Sequence, residues 1–186
     1  MWLWMVEVWG GPLVETYSRM FPREVCGLVY LDPTHVRSAP EWEEYLIASG
    51  FSQDAVRPYL DNYERQFSAF VRSMPPGPRA EMEFIDIVER RHWLEHQPVH
   101  VPSGLPVSVV IHGRFEPGRW KEHPCEPRQC HDVFLRFRKT WLSPLTAGAK
   151  APKVMVDETS GHLIHQDNAA LVASEIRRVL TLGQRR

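Results

Sequence analysis

Four short apolar runs constrain the fold of this chain more than any other feature. They lie at residues 2–8, 25–31, 107–111 and 154–156, and stretches with helical spacing separate them. Runs of this length, rich in valine and other β-favouring residues, are typical of strands buried in a sheet. Strands that alternate with helices are joined by crossovers and therefore run parallel. The sequence thus predicts the α/β class, with a short, mostly parallel sheet of about four strands flanked by helices.

Helix start and stop signals accompany these runs. Pro12 suits the first turn of a helix, and Pro22 ends that helix before the second run, which predicts a compact βαβ unit. The last helix is expected to begin near Asp167 or Asn168, since both residue types cap helix N-termini well, and to end at Gly183.

The stretch between the second and third runs has a different character. Residues 38–100 mix charged and aromatic side chains at helical spacing and contain no strand-like run, and "PPGP" at 75–78 interrupts them before a further helical stretch at 81–94. This pattern predicts a helical insertion into an α/β core made of residues 1–37 and 101–186.

Charge and cysteine content exclude several classes of protein. The chain has 22 basic and 23 acidic residues among 186, so no overall field attracts nucleic acid or an anionic membrane. Three cysteines make a poor disulfide framework and suit a reducing compartment. The N-terminus lacks the basic region of a signal peptide, and its apolar run is too short to span a bilayer. We therefore expect a cytoplasmic protein with no membrane span.

Acidic and histidine residues follow the predicted strands, at the edge where open α/β sheets bind ligands. Asp32 and His35 follow the second run, His112 and Glu116 follow the third, and Asp157, Ser160 and His162 follow the last. A histidine and a carboxylate that meet at one sheet edge are what a nucleophile, base and orienting acid require.

The order of these segments carries a family resemblance. "YSRMFPREVCGLVYLDPTH", the helical insertion, "PVSVVIHG" and "VDETSGHLIHQDNAALVASEIRRVL" follow one another along the chain. In this order the chain resembles the C-terminal portion of an α/β-hydrolase of the esterase or lipase-like kind. The resemblance implies that residues 38–100 form a helical cap, which would set the acyl and alcohol preferences for a small ester-like ligand.

The resemblance also implies roles for three residues. His162 in "SGH" takes the position of the catalytic histidine, and the acid is either Asp32 or Glu116. We prefer Asp32 because it stands directly at a strand end, whereas Glu116 lies further into a loop. A turn-initiating role in the Asp32-Pro33 pair is an equally good reading of that aspartate. No cofactor is implied.

The nucleophile of the family is missing. Its elbow has the pattern G-x-S-x-G, and "VEVWGG" aligned on that pattern places Val8 at the serine. Valine has no attacking atom, and the pattern occurs nowhere else in the chain. The strands and oxyanion loop that precede the elbow in the family have no counterpart here either. We therefore expect a truncated or catalytically impaired relative whose first strand forms a sheet edge. The chain is expected either to self-associate through this edge or to be poorly soluble.

Two other functions remain open at this stage. The chain is alternatively an active carboxylic-ester hydrolase whose nucleophile is unorthodox, such as Ser160 or a cysteine, or is supplied by a partner chain. The third reading is a non-enzymatic binding module.

A cluster of cysteine and histidine residues invites a metal-binding interpretation. "HPCEPRQCH" contains His123, Cys125, Cys130 and His131, but their spacing matches no common zinc motif. We expect free thiols or a Cys125–Cys130 disulfide in this segment rather than a metal.

Overall fold

The computed structural model describes residues 2–8, 10–33, 39–77, 79–80, 82–83 and 103–184. His35 and nearly all of the helical stretch predicted at 81–94 lie outside the described residues.

The centre of the fold is a parallel sheet. Its strands are β1 (Trp2–Val8), β2 (Val25–Pro33), β3 (Pro106–His112) and β4 (Lys150–Asp157). They lie in the order β1-β2-β3-β4, and each neighbouring pair is parallel. The prediction of an α/β fold with parallel strands and flanking helices is confirmed.

Helices connect the strands and follow them. They are α1 (Gly10–Met20), α2 (Ala39–Ala48), α3 (Gln53–Ser73), α4 (Pro127–Leu142), α5 (Ile164–Asp167) and α6 (Ala169–Gly183). Short 3-10 turns lie at Pro117–Trp120 and Ser143–Thr146. No helix among the described residues is long and apolar enough to cross a membrane.

The hydrophobic core lies on both faces of the two central strands. One face of β2 carries Leu28 and Tyr30, which pack in a cluster with Val14 of α1. The opposite face carries Val29 and Leu31, which pack in a second cluster with residues of α6. Since both faces are covered, every residue of β2 and of β3 is buried. This explains the continuous apolar runs that predicted these strands.

The chain forms two compact units. The first comprises Met1–His35, Val99–Glu116 and Leu135–Arg186, and it contains the sheet. The second comprises Val36–Pro98 and Pro117–Phe134. Inside the second unit the imidazole of His123 lies among aromatic rings, those of Tyr45, Phe51, Tyr59 and Trp120.

A disulfide joins the loop before α4 to the first turn of that helix. Cys125 and Cys130 are joined, with their Cα atoms 5.7 Å apart, whereas Cys26 is a free, buried thiol. The disulfide is one of the two states expected for this segment. While it is formed, these sulfurs are not thiolates and do not bind a metal.

Reduction of this disulfide is expected to lower the free energy of unfolding by about 2 kcal/mol, because the closed loop restricts the unfolded chain. Urea unfolding with and without reductant measures the difference. The Cys125→Ser/Cys130→Ser variant is the control, since reductant should leave its unfolding curve unchanged. Equal stability of the oxidised and reduced wild-type chains would contradict the prediction.

Candidate active site

The carboxyl ends of neighbouring strands bring Asp32 and two histidines together. Asp32 lies near the end of β2, His112 ends β3, and His162 lies in the loop after β4. The Nδ1 atom of His162 is 2.5 Å from Oδ2 of Asp32, and the Nδ1 atom of His112 is 2.7 Å from the same oxygen. The carboxylate thus accepts hydrogen bonds from both imidazoles on one oxygen.

A bulge in β2 sets the position of the Asp32 backbone. Glu7 of β1 pairs with Leu31, and the next residue, Val8, pairs with Pro33, so that Asp32 is passed over in the register. Asp32 also has a φ of 45°, in the left-handed region. Aspartate adopts this region more readily than most residues, and bulges of this kind commonly redirect a side chain at a functional site. The Asp32-Pro33 pair therefore forms the end of β2.

The second oxygen of the carboxylate is also fully engaged. Arg138 of α4 donates from Nη2 to Oδ1 of Asp32 at 2.7 Å, and the backbone N–H of His112 donates to the same oxygen at 3.4 Å. The side chains of Arg138 and Asp32 are 5% and 3% exposed. A buried ion pair is sustained only by close geometry and further hydrogen bonds, and both are present here.

Arg138 is a site residue that sequence reasoning missed. It stands four residues after Phe134 and three before Trp141, and so falls on the buried face of α4. A charged residue at an apolar position of an amphipathic helix is the signal that identifies it.

The surroundings of Asp32 keep its carboxyl ionised. Burial by itself would raise its pKa, but hydrogen bonds from His112 and His162 and the charge of Arg138 hold the pKa well below its usual value. A carboxylate that is ionised at neutral pH fixes the proton of a neighbouring neutral imidazole on Nδ1, which makes Nε2 the basic nitrogen.

The two histidines differ in accessibility. The side chain of His162 is 50% exposed, and that of His112 is 9% exposed. Their rings lie edge to face with centroids 6.1 Å apart. Of the two, His162 is the more accessible to a ligand.

A network of hydrogen bonds holds the loop that carries His162. The Asp157 carboxylate accepts hydrogen bonds from the Thr159 and Ser160 hydroxyls and from the Asn168 amide. Burial raises the pKa of Asp157, and these hydrogen bonds outweigh that effect and lower it. At the next turn Asp167 accepts the Gly161 N–H at 2.7 Å.

Ser160, a candidate nucleophile, and Asn168, a candidate helix cap, both belong to this network. Ser160 is fully buried, and its hydroxyl donates to Oδ2 of Asp157 at 2.5 Å. Asn168 caps α6 by accepting the N–H of Leu171 at 3.1 Å, so that of the two candidate caps Asn168 fills this role while Asp167 binds the loop.

Glu116, the other candidate acid, lies in a different environment. Its carboxylate is 55% exposed and pairs with Arg114 at 3.6 Å, and Arg114 also pairs with Asp167 at 3.2 Å. Of the two acids, Asp32 is the one whose carboxylate hydrogen-bonds His162.

The position that the resemblance assigns to the nucleophile lies beside this site. Val8 is the last residue of β1 and pairs with Pro33, the residue after Asp32. The backbone therefore places residue 8 at the same sheet edge as the Asp32–His162 pair.

Comparison with protein-family models, with curated proteins and with solved structures found no match for this chain. The functional assignment therefore depends on the geometry of the site.

Proposed function

We propose that this chain is an ester-hydrolase-like protein of the α/β-hydrolase kind whose nucleophile position holds valine. The observation that carries the proposal is the 2.5 Å hydrogen bond between His162 Nδ1 and Asp32 Oδ2 at the carboxyl edge of a parallel sheet. The site then has a base and an orienting acid, with Val8 in place of the attacking residue. In this proposal residues 38–100 act as a helical cap, and the ligand is a small carboxylic ester.

The reaction needs a hydroxyl that the wild-type chain lacks at position 8. A serine there would give its proton to Nε2 of His162 as its oxygen attacked the ester carbonyl carbon, and Asp32 would stabilise the imidazolium that forms. His162 would then return the proton to the departing alcohol. Water would release the acyl group by the same proton transfers in reverse order.

Hydrolysis of p-nitrophenyl acetate tests the proposal. We expect the wild-type chain to match the Val8→Ala control at the background rate, and Val8→Ser to show hydrolysis above it. Adding His162→Ala to Val8→Ser should lower that activity by about 100-fold, the usual size of a general-base contribution.

Two results would contradict the proposal in different ways. Wild-type hydrolysis that is lost in His162→Ala would mean that another residue is the nucleophile. Folded Val8→Ser protein that does not differ from Val8→Ala would contradict the proposal, since Asp32 and His162 would then not support ester hydrolysis by a serine at position 8.

A further inference from the structure

The convergence of Asp32, His112 and His162 points to a second property of this site. We propose that these three side chains bind a divalent transition-metal ion, with Zn²⁺ the best fit. This inference does not depend on the proposed hydrolysis, because it concerns binding by the wild-type chain alone.

The donor atoms lie close enough to share one ion. Oδ2 of Asp32 and Nδ1 of each histidine all lie within 4.8 Å of one another, and among the described residues this is the only group of three or more such side chains placed in this way. Two imidazoles and one carboxylate are a common protein ligand set for catalytic zinc, which leaves a fourth position for water. Imidazole nitrogen favours zinc over magnesium or calcium, which prefer oxygen ligands.

The outer contacts of the site resemble those of bound metal centres. Oδ1 of Asp32 accepts from Arg138 and from the His112 backbone N–H, which leaves Oδ2 as the oxygen that faces both imidazoles. In metal centres, hydrogen bonds of this kind orient a carboxylate ligand and hold it in place. Arg138 also adds a positive charge, which lowers the affinity for a cation without removing the ligands.

Only a small movement separates the hydrogen-bonded state from a metal-bound one. Ligand atoms about 2 Å from zinc in a tetrahedral site lie about 3.3 Å from one another. The two N···O distances here are 2.5 and 2.7 Å, so each must open by less than about 1 Å. The two Nδ1 atoms lie within 4.8 Å of each other and must approach by at most about 1.5 Å. His162 is half exposed and lies on a loop, so this side chain is the one best able to move.

Calorimetric titration of the metal-free chain with ZnCl₂ tests the proposal. We expect one equivalent to bind, and we expect His162→Ala and His112→Phe each to weaken binding by at least about tenfold. His165→Ala is the matched control because it removes a histidine three residues from His162 and outside the group. Arg138→Gln is expected to bind zinc more tightly than the wild type.

Cobalt spectroscopy gives an independent measurement in the same proteins. The wild-type chain with Co²⁺ should show the visible bands of a four- or five-coordinate site with nitrogen and oxygen ligands. Absence of binding by the wild type would overturn the proposal. So would binding that survives both histidine substitutions, or a thiolate charge-transfer band, which would locate the ion at a cysteine. Circular dichroism identifies a variant that fails to fold. If the buried His112→Phe variant does not fold, the comparison of the wild type with His162→Ala decides the test, because His162 is half exposed.

A negative result in the hydrolysis measurements does not decide the zinc measurements, and the reverse is also true. Binding uses the wild-type chain and no ester, so an inactive Val8→Ser variant leaves the zinc result intact. If both proposals hold, Zn²⁺ should inhibit Val8→Ser, because the metal takes the Nδ1 atom that Asp32 orients.

Discussion

The Asp32→Asn variant is expected to lose about 3–5 kcal/mol of unfolding free energy, the usual cost of removing one partner of a buried ion pair. Asparagine keeps the size of the side chain but removes the charge that compensates Arg138. It also replaces one acceptor oxygen of the carboxylate by an amide nitrogen that donates. The buried guanidinium is then left without a counter-ion. Urea unfolding at pH 7 measures the loss.

Matched variants separate this effect from a general loss of negative charge. Glu116→Gln removes an exposed acid that follows the next strand and should change stability by less than about 0.5 kcal/mol. Arg138→Met in the Asp32→Asn background should recover part of the loss, because the unpaired cation is gone. If Asp32→Asn costs no more than Glu116→Gln, the buried pair does not stabilise the fold.

The pH dependence of the stabilisation by Asp32 follows from the direction in which its pKa is shifted. The pKa of Asp32 is lower in the folded chain than its ordinary value of 3.8. The stabilisation is therefore fully present above about pH 4 and decreases as the pH falls towards the folded pKa. In Asp32→Asn the loss of stability on acidification should be smaller than in the wild type.

The Glu15→Gln variant is expected to be more stable than the wild type at pH 8, by a few kcal/mol. Glu15 lies on α1 and is only 6% exposed. Burial raises its pKa to about 8, although the nearby charge of Arg19 acts in the opposite direction. Glutamine keeps a polar side chain of similar size but never carries the buried negative charge.

The contribution of Glu15 to stability changes with pH in the opposite direction to that of Asp32. The folded pKa of about 8 lies above the ordinary 4.5, so the folded chain binds more protons than the unfolded chain between these values. Stability is therefore greatest below about pH 4.5 and decreases as the pH rises to 8. Unfolding curves at pH 4.5, 6 and 8 should show this decline in the wild type and a smaller one in Glu15→Gln. Glu158→Gln, at an exposed position of the same unit, should decline as the wild type does. Parallel curves for Glu15→Gln and the wild type would contradict the assignment.

The sequence contains enough information to predict the strands and the edge at which the site lies. The runs in β2 and β3 are continuous because both faces of these strands are buried, and the carboxyl ends of parallel strands meet at one edge of the sheet. The contact between Asp32 and His162 follows from that topology, which is why the sequence alone identifies both residues as candidates.

Other contacts depend on details that apolar periodicity does not encode. The backbone position of Asp32 depends on a one-residue bulge in the pairing of β1 with β2, and a bulge leaves no mark on the hydrophobic pattern. The contribution of Arg138 depends on the rotation of α4 about its own axis. The place of Ser160 in the chain makes it a candidate nucleophile, but its hydroxyl donates to Asp157, a partner only three residues away.

Residue 32 must meet two separate requirements, one set by its left-handed backbone and one set by the charge that its neighbours need. Glycine and asparagine adopt this conformation with little strain, whereas valine, isoleucine and threonine do so only at a high cost. In the Arg138→Met background, which has no buried cation to pair, a saturation library at residue 32 screened for folded protein alone should therefore be enriched in small residues that tolerate the bulge. A library in the wild-type background screened for a ligand that needs the carboxylate should return aspartate, since glutamate carries the charge on a longer chain that displaces it from Arg138 and both histidines. The residue found at this position thus satisfies a backbone requirement and a charge requirement that no other amino acid meets together.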